Sequence, residues 1–191
     1  MKVVDIIALA ATMVGDDRLA LCIKEAVEGG SSLTDEDEAE YKKFLTCYNI
    51  TVSELSEEHL PLCYEEELYS SDKRFSYCDF TYQPLKIKSV SKSINPIDFK
   101  IYAEYLTADS DKITVNYEYQ PLKTVEFNDD VCPFTNTIIG ERLIALGVAS
   151  EYCLIKGMYE AAIMLRDRYA KSLEQTLVKR RVSRIKQRMW F

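Results

Sequence analysis

The chain has 191 residues, of which 47% are hydrophobic and 29% charged, with a formal net charge of -7; this excludes a disordered chain and leaves room for one domain, or one domain carrying an inserted subdomain. No apolar run approaches the roughly 20 residues of a membrane span, and the N-terminus lacks the charge, apolar and cleavage-site order of a signal peptide, so synthesis in the cytoplasm is expected. Six glycines are too few and too scattered for a Gly-x-Gly-x-x-Gly or Walker loop, and no nucleotide cradle is expected.

In chain order, Val3, Ile6, Ile7, Ala10 and Val14 follow a helical period over Val3 to Val14, and Gly15 stops it. A second helix is predicted from Asp17 to Val27, with apolar Ala20, Leu21, Ile23 and Val27 and a stop at Gly29-Gly30. Thr34 caps a third helix, Asp35 to about Tyr48, whose acidic first turn complements the helix dipole and whose apolar residues are Phe44, Leu45 and Tyr48. Ser53 to Glu58 predicts another short helical piece before Leu60-Pro61-Leu62.

From Leu62 to about Phe127 the pattern turns to β. Strands are predicted at Phe75 to Tyr82, Lys86 to Lys92, Phe99 to Leu106 and Ile113 to Tyr119, separated by turn signals at Ser70-Ser71-Asp72-Lys73, Ser93-Ile94-Asn95-Pro96 and Asp109-Ser110-Asp111-Lys112. Alternation is clearest in the last strand, where Ile113, Val115, Tyr117 and Tyr119 share one face. A pentapeptide recurs here: Tyr82-Gln83-Pro84-Leu85-Lys86 and Tyr119-Gln120-Pro121-Leu122-Lys123. Proline donates no ladder hydrogen bond, so each copy reads as a strand end; the functional reading makes Tyr82, Pro84, Tyr119 and Pro121 a matched contact surface.

Asp129 or Asp130 is expected to cap a long helix with Pro133 in its first turn, burying Ile139, Leu143, Leu146, Ser150 and Cys153 and broken at Gly157. A final helix resumes at Met158 with the stripe Ala162, Leu165, Tyr169, Leu173 and Leu177. The fold class expected is α+β, mainly α: a helical bundle (1–61 and 129–178) with an inserted small antiparallel β subdomain (62–128) and an extended C-terminal arm (179–191).

Few residues invite chemistry. The cysteines at 22, 47, 63, 78, 132 and 153 form no Cys-x-x-Cys pair, and the single histidine, His59, reads as a solvated residue at a Glu-rich helix end. Glu65-Glu66-Glu67 is the densest carboxylate run, but neighbours in a strand or helix diverge, so it reads as an acidic edge available for subunit or tail contacts rather than a metal site. No catalytic residue, cofactor or metal is expected, and the chain is not expected to be an enzyme.

The arm is different. Between Lys179 and Arg188 lie six cations and no anion, followed by Met189, Trp190 and Phe191, whereas Glu28 to Glu67 holds twelve carboxylates against Lys42 and Lys43. Arg, Met, Trp and Phe are enriched at interfaces, so Lys179, Arg180, Arg181, Arg184, Lys186, Arg188, Met189, Trp190 and Phe191 are assigned to a docking arm. The alternative is a binding or regulatory protein using this tail on nucleic acid or an acidic partner.

The order of parts resembles the head-to-tail adaptor (connector ring) proteins of tailed bacteriophages, of the tail tubular A type. The resemblance is carried by the short helices of Val3 to Val27, by Leu60-Pro61-Leu62 leading into strands, and by Ile113 to Pro121. It continues through Ile144 to Tyr152, Gly157-Met158-Tyr159-Glu160-Ala161-Ala162 and the ending Arg188-Met189-Trp190. It implies a virion protein at the head-tail junction, assembled in the host cytoplasm into a closed homo-oligomeric ring of about twelve subunits. Such a ring docks on the portal protein through the arm, receives the next tail component and lets DNA pass without sequence-specific binding, with no membrane partner.

Overall fold

The computed structural model describes residues 1–29, 33–93, 95–125, 127, 130–135 and 137–181, the side chains of 178–181 excepted. The fold is α+β and mainly α, 50% helical with 22% strand. It divides into two compact units, one of Met1–Val52 with Thr124–Phe191 and one of Ser53–Lys123.

The first unit holds α1 (Val3–Val14), α2 (Asp17–Val27), α3 (Asp35–Glu54) as far as Val52, α4 (Glu141–Ile155) and α5 (Tyr159–Arg181). Gly15 ends α1 in the left-handed conformation at φ 91°, with its N–H on the Thr12 carbonyl. α1 is buried almost all round, including Val4, Ala8 and Ala11, because it packs on both α2 and α4. In α2 the buried stripe is Leu19, Ala20 and Ile23, whereas the expected Leu21 and Val27 are exposed. Residue 21 sits half a turn from 19 and 23, so one face cannot bury all three.

Thr34 caps α3 as expected. Its hydroxyl accepts from the Asp37 N–H at 3.3 Å and donates to the Asp37 carboxylate at 2.7 Å, and Arg18 pairs with the same buried carboxylate at 2.5 Å. The helix then runs six residues past Tyr48, without the break expected before Ser53, because Tyr41, Phe44, Cys47, Tyr48, Thr51 and Val52 keep the buried period going.

The helix expected from Asp130 is not formed; α4 starts at Glu141 behind Gly140. Residues 130–132 are instead held extended against the N-terminus. Val3 N–H donates to the Asp130 carbonyl at 2.9 Å and Cys132 N–H to the Met1 carbonyl at 3.0 Å, and Lys2 and Val131 form an antiparallel bridge. The hydroxyls of Thr135 and Thr137 then bond the carbonyls of Cys132 and Phe134 at 2.6 and 2.8 Å, offering the backbone local partners that compete with a helix. α5 buries the expected Ala162, Leu165, Tyr169 and Leu173.

In the second unit the chain leaves α3 through a π-turn, Leu55–His59, and enters, among the described residues, seven strands: β1 (Cys63–Tyr69), β2 (Arg74–Ser76), β3 (Pro84–Lys92), β4 (Asn95–Pro96), β5 (Phe99–Ile101), β6 (Tyr105–Ala108) and β7 (Lys112–Tyr119). They form two antiparallel sheets, ordered β1-β7-β3-β4 and β2-β6-β5. Both contribute to one core of Leu68, Phe75, Val90, Leu106, Ile113, Val115 and Tyr117. The alternation predicted for β7 is present, with Ile113, Val115 and Tyr117 fully buried.

Two predicted strands are shorter than expected. Ser76 accepts the Cys78 N–H at 3.3 Å and turns Tyr77–Asp79 into a 3-10 turn, and the Tyr102 N–H bonds the Tyr105 carbonyl at 2.9 Å, splitting 99–106 into β5 and β6. β1 lies in the stretch expected to be β but was not among the strands predicted. Its three glutamates disfavour a strand, but pairing along all of β7, from Cys63 with Glu118 to Tyr69 with Lys112, overrides that preference.

Candidate functional site

The two copies of the repeated pentapeptide meet. β3 and β7 run antiparallel with Pro84 opposite Tyr119, and Gln120 N–H donates to the Gln83 carbonyl at 3.3 Å. Tyr82 and Tyr119 stack with ring centroids 4.4 Å apart and planes at 24°, and Tyr64 of β1 meets them edge-on at 5.1 and 6.4 Å. Pro84 opens β3, where a missing N–H costs nothing, and Pro121 lies buried just past β7. The repeat therefore closes one end of the β unit with aromatic rings that largely satisfy one another. What it leaves outside is a groove of about 430 Å³ lined by Tyr77, Pro84, Leu85, Lys86, Ile87, Ile101 and Tyr102.

Glu65, Glu66 and Glu67 diverge along β1. Glu66 points inward and accepts from the Tyr117 hydroxyl at 2.6 Å and from the Thr81 hydroxyl and N–H at 2.6 and 3.1 Å. That bond is one cause, after burial, of the raised pKa of Tyr117. Glu65 accepts from Asn116 at 3.5 Å on the opposite face, and Glu67 pairs with Lys112 at 2.7 Å. The run is a set of three separate fastenings.

Cys47, Cys132 and Cys153 are buried, and burial pushes all three thiols up, Cys47 to about 12. They are packing residues rather than nucleophiles at neutral pH. Cys63 is exposed, with the Lys88 ammonium 3.0 Å from its sulfur.

The docking-arm residues Arg184, Lys186, Arg188, Met189, Trp190 and Phe191 lie outside the described residues, as do the side chains of Lys179, Arg180 and Arg181; α5 carries the backbone to Arg181.

A surface that sequence reading missed sits at the turn between α4 and α5. Gly157, at φ 73°, reverses the chain there. Around it Leu154, Ile155, Met158, Tyr159, Ile163 and Met164 are between 39% and 66% exposed. Part of the signal was available, because Tyr159, Ile163 and Met164 fall off the stripe of Ala162, Leu165, Tyr169 and Leu173. An off-stripe apolar cluster at a helix turn is a candidate contact surface.

Beside this turn sits a charged clamp within the helical unit. Glu40 of α3 accepts from Lys156 and Lys43, each at 2.8 Å, and from the Tyr152 hydroxyl at 2.8 Å. The Lys156 and Lys43 bonds, opposed by burial, hold its carboxyl down to about 2, against an ordinary 4.5. Since the folded pKa is depressed, the contribution to stability is whole above about pH 4.5 and is lost as pH falls through about 2. With the side chain 28% exposed, water screening reduces the effect to about 1–2 kcal/mol. Urea midpoints of the natural chain and of Glu40→Gln should therefore differ at pH 6, differ less at pH 3 and converge as pH falls to about 2; a gap independent of pH would show that packing rather than the charge makes the difference.

Among the described residues, no helix is long and apolar enough to cross a membrane. No protein-family model matches the chain, and no curated protein matches it.

Proposed function

We propose that this protein is a structural subunit of a bacteriophage head-to-tail adaptor ring, which docks on the portal, continues the DNA channel and receives the next tail component. The observation that carries this reading is the apolar band of Leu154, Ile155, Met158, Tyr159, Ile163 and Met164, left exposed on a helical unit whose own core is already filled. A band of this kind favours a second copy of the chain as occupant, because repeating one such contact around an axis closes a ring. The acidic balance of -7 suits a channel through which DNA must slide without being held. The basic, aromatic-tipped arm of Lys179 to Phe191 supplies the portal contact, and the strand-end residues Tyr82, Pro84, Tyr119 and Pro121 with Glu65 to Glu67 supply contacts to neighbours or tail. The role is geometric, with no catalytic step.

Mass spectrometry of purified particles from the source tests the reading: the chain is expected at a fixed ratio near one to one with the portal protein, because two coaxial rings of equal symmetry share a subunit count. Absence from intact particles would remove the adaptor role. The surface has its own test. Ile163→Glu, at a 63% exposed position, should leave circular dichroism and thermal unfolding unchanged while abolishing ring assembly on portal in native mass spectrometry. Rings that form normally with this variant would exclude the band as the subunit contact.

A further inference from the structure

Among the described residues, one group of three ligating side chains converges. The carboxylate and imidazole donor atoms of Glu54, Glu58 and His59 all lie within 4.8 Å of one another. The backbone explains why. Leu60 N–H donates to the Leu55 carbonyl, five residues back, at 2.7 Å, so that Leu55–His59 is a widened π-turn. In an α-helix residues i+3 and i+4 stack over residue i while i+5 points away. An i+5 bond opens the turn and brings i+4 and i+5 to either side of residue i. Glu58 and His59 therefore flank Glu54.

The rest of the turn is anchored on its other side. Leu55 and Ser56 are buried, and the Ser56 hydroxyl donates to the Ser53 carbonyl at 2.9 Å. Glu57 is drawn elsewhere, accepting from Gln120 at 3.5 Å.

We propose that Glu54, Glu58 and His59 form a binding site for a divalent zinc-class ion. One imidazole nitrogen and two carboxylate oxygens suit a borderline first-row ion, and two negative charges offset its own. Such an ion holds its ligands at about 2.0–2.2 Å, and small side-chain rotations bring the three donors to that distance. Three protein ligands leave the remaining positions to water. The bound ion ties the last turn of α3 to the end of the π-turn and fixes the path of the chain toward β1. This site is independent of the adaptor reading, and it departs from the expectation that His59 is merely solvated.

Because His59 is the only histidine in the chain, its imidazole NMR signals report on the site without ambiguity. Zn²⁺ titrated into the reduced full-length protein should shift those signals to saturation at one equivalent. Glu58→Gln, at an exposed position that folding tolerates, should weaken binding about 10- to 100-fold, and Glu54→Gln should do the same. Co²⁺ should give no thiolate-to-metal charge-transfer band. An unmoved His59, an affinity in both glutamine variants unchanged from that of the natural chain, or a thiolate band with no His59 shift would each overturn the proposal, the last by placing the ion on cysteines.

Discussion

Gly147→Val is expected to lower stability by about 3 kcal/mol, at the upper end of the range for overpacking a core. A Cβ added at Gly147 would stand 2.5 Å from Cγ2 of Thr51 and 3.1 Å from Cε2 of Tyr169, so α3 and α5 both approach α4 at the one position without a side chain. Neither neighbour yields easily. Thr51 is buried, stiff at χ1 and bonded through its hydroxyl to the Cys47 carbonyl at 3.0 Å, and Tyr169 is buried in the α5 stripe. The sign is the informative part. A glycine in an exposed helix costs about 1 kcal/mol relative to alanine, so Gly147→Ala would stabilise α4 if only its backbone mattered, whereas here it should destabilise by about 1–2 kcal/mol. Thr51→Ser keeps the hydroxyl bond and removes the clashing methyl, so it should rescue Gly147→Ala with a coupling of about 1 kcal/mol. Urea unfolding of the two single variants and the double variant measures this; strict additivity would mean that the close approach is not what requires the glycine.

Phe44→Ala should cost about 3–5 kcal/mol, the range for emptying a buried aromatic site. Phe44 is fully buried and lies parallel to Tyr152, with centroids 3.8 Å apart and planes within 8°. The hole left behind has consequences beyond lost area. Tyr152 donates to Glu40, which in turn holds Lys156 beside the α4–α5 turn, and a loosened Tyr152 weakens that clamp. The variant should therefore also show a smaller stability difference between pH 6 and pH 3 than the natural chain. Phe44→Leu, which fills much of the volume, should cost under about 1.5 kcal/mol. A loss near that smaller value for the alanine variant would mean that the site collapses around the cavity.

Periodicity served best where one element's face meets a single neighbour. The bounds of α1 and α2, the Thr34 cap, the α5 stripe and the β7 alternation were all legible, because each is set by residues within a few positions of one another. The failures share a cause in long-range pairing. Residues 130–132 carry helix-start chemistry but bond to Met1 and Val3, partners more than a hundred positions away that no local window includes. β1 has an unfavourable composition and exists because β7 offers it a full-length partner. Leu21 was misjudged for a different reason, since apolar character alone does not say which side of α2 faces α1.

The candidate sites divide the same way. The pentapeptide repeat was visible as a pattern, but its meaning, two strand ends brought side by side with Tyr82 stacked on Tyr119, depends on the pairing of β3 with β7. The apolar band at Gly157 was legible in part, at the off-stripe positions Tyr159, Ile163 and Met164; for the others, apolar residues read as core until a filled core leaves them outside. His59 was visible only as a solvated residue, and Glu54 and Glu58 only as part of a short helical piece, since at ordinary helical spacing the imidazole would point away from Glu54. The sequence by itself determined composition, charge asymmetry, the local helices with their caps, and the alternation of β7, because these depend on side-chain size, polarity and neighbours close along the chain. Only the tertiary structure decided the start of α4, the existence of β1, the close approach at Gly147, the exposed band and the convergence at the π-turn, because each follows from hydrogen bonds or packing partners that a linear pattern does not contain.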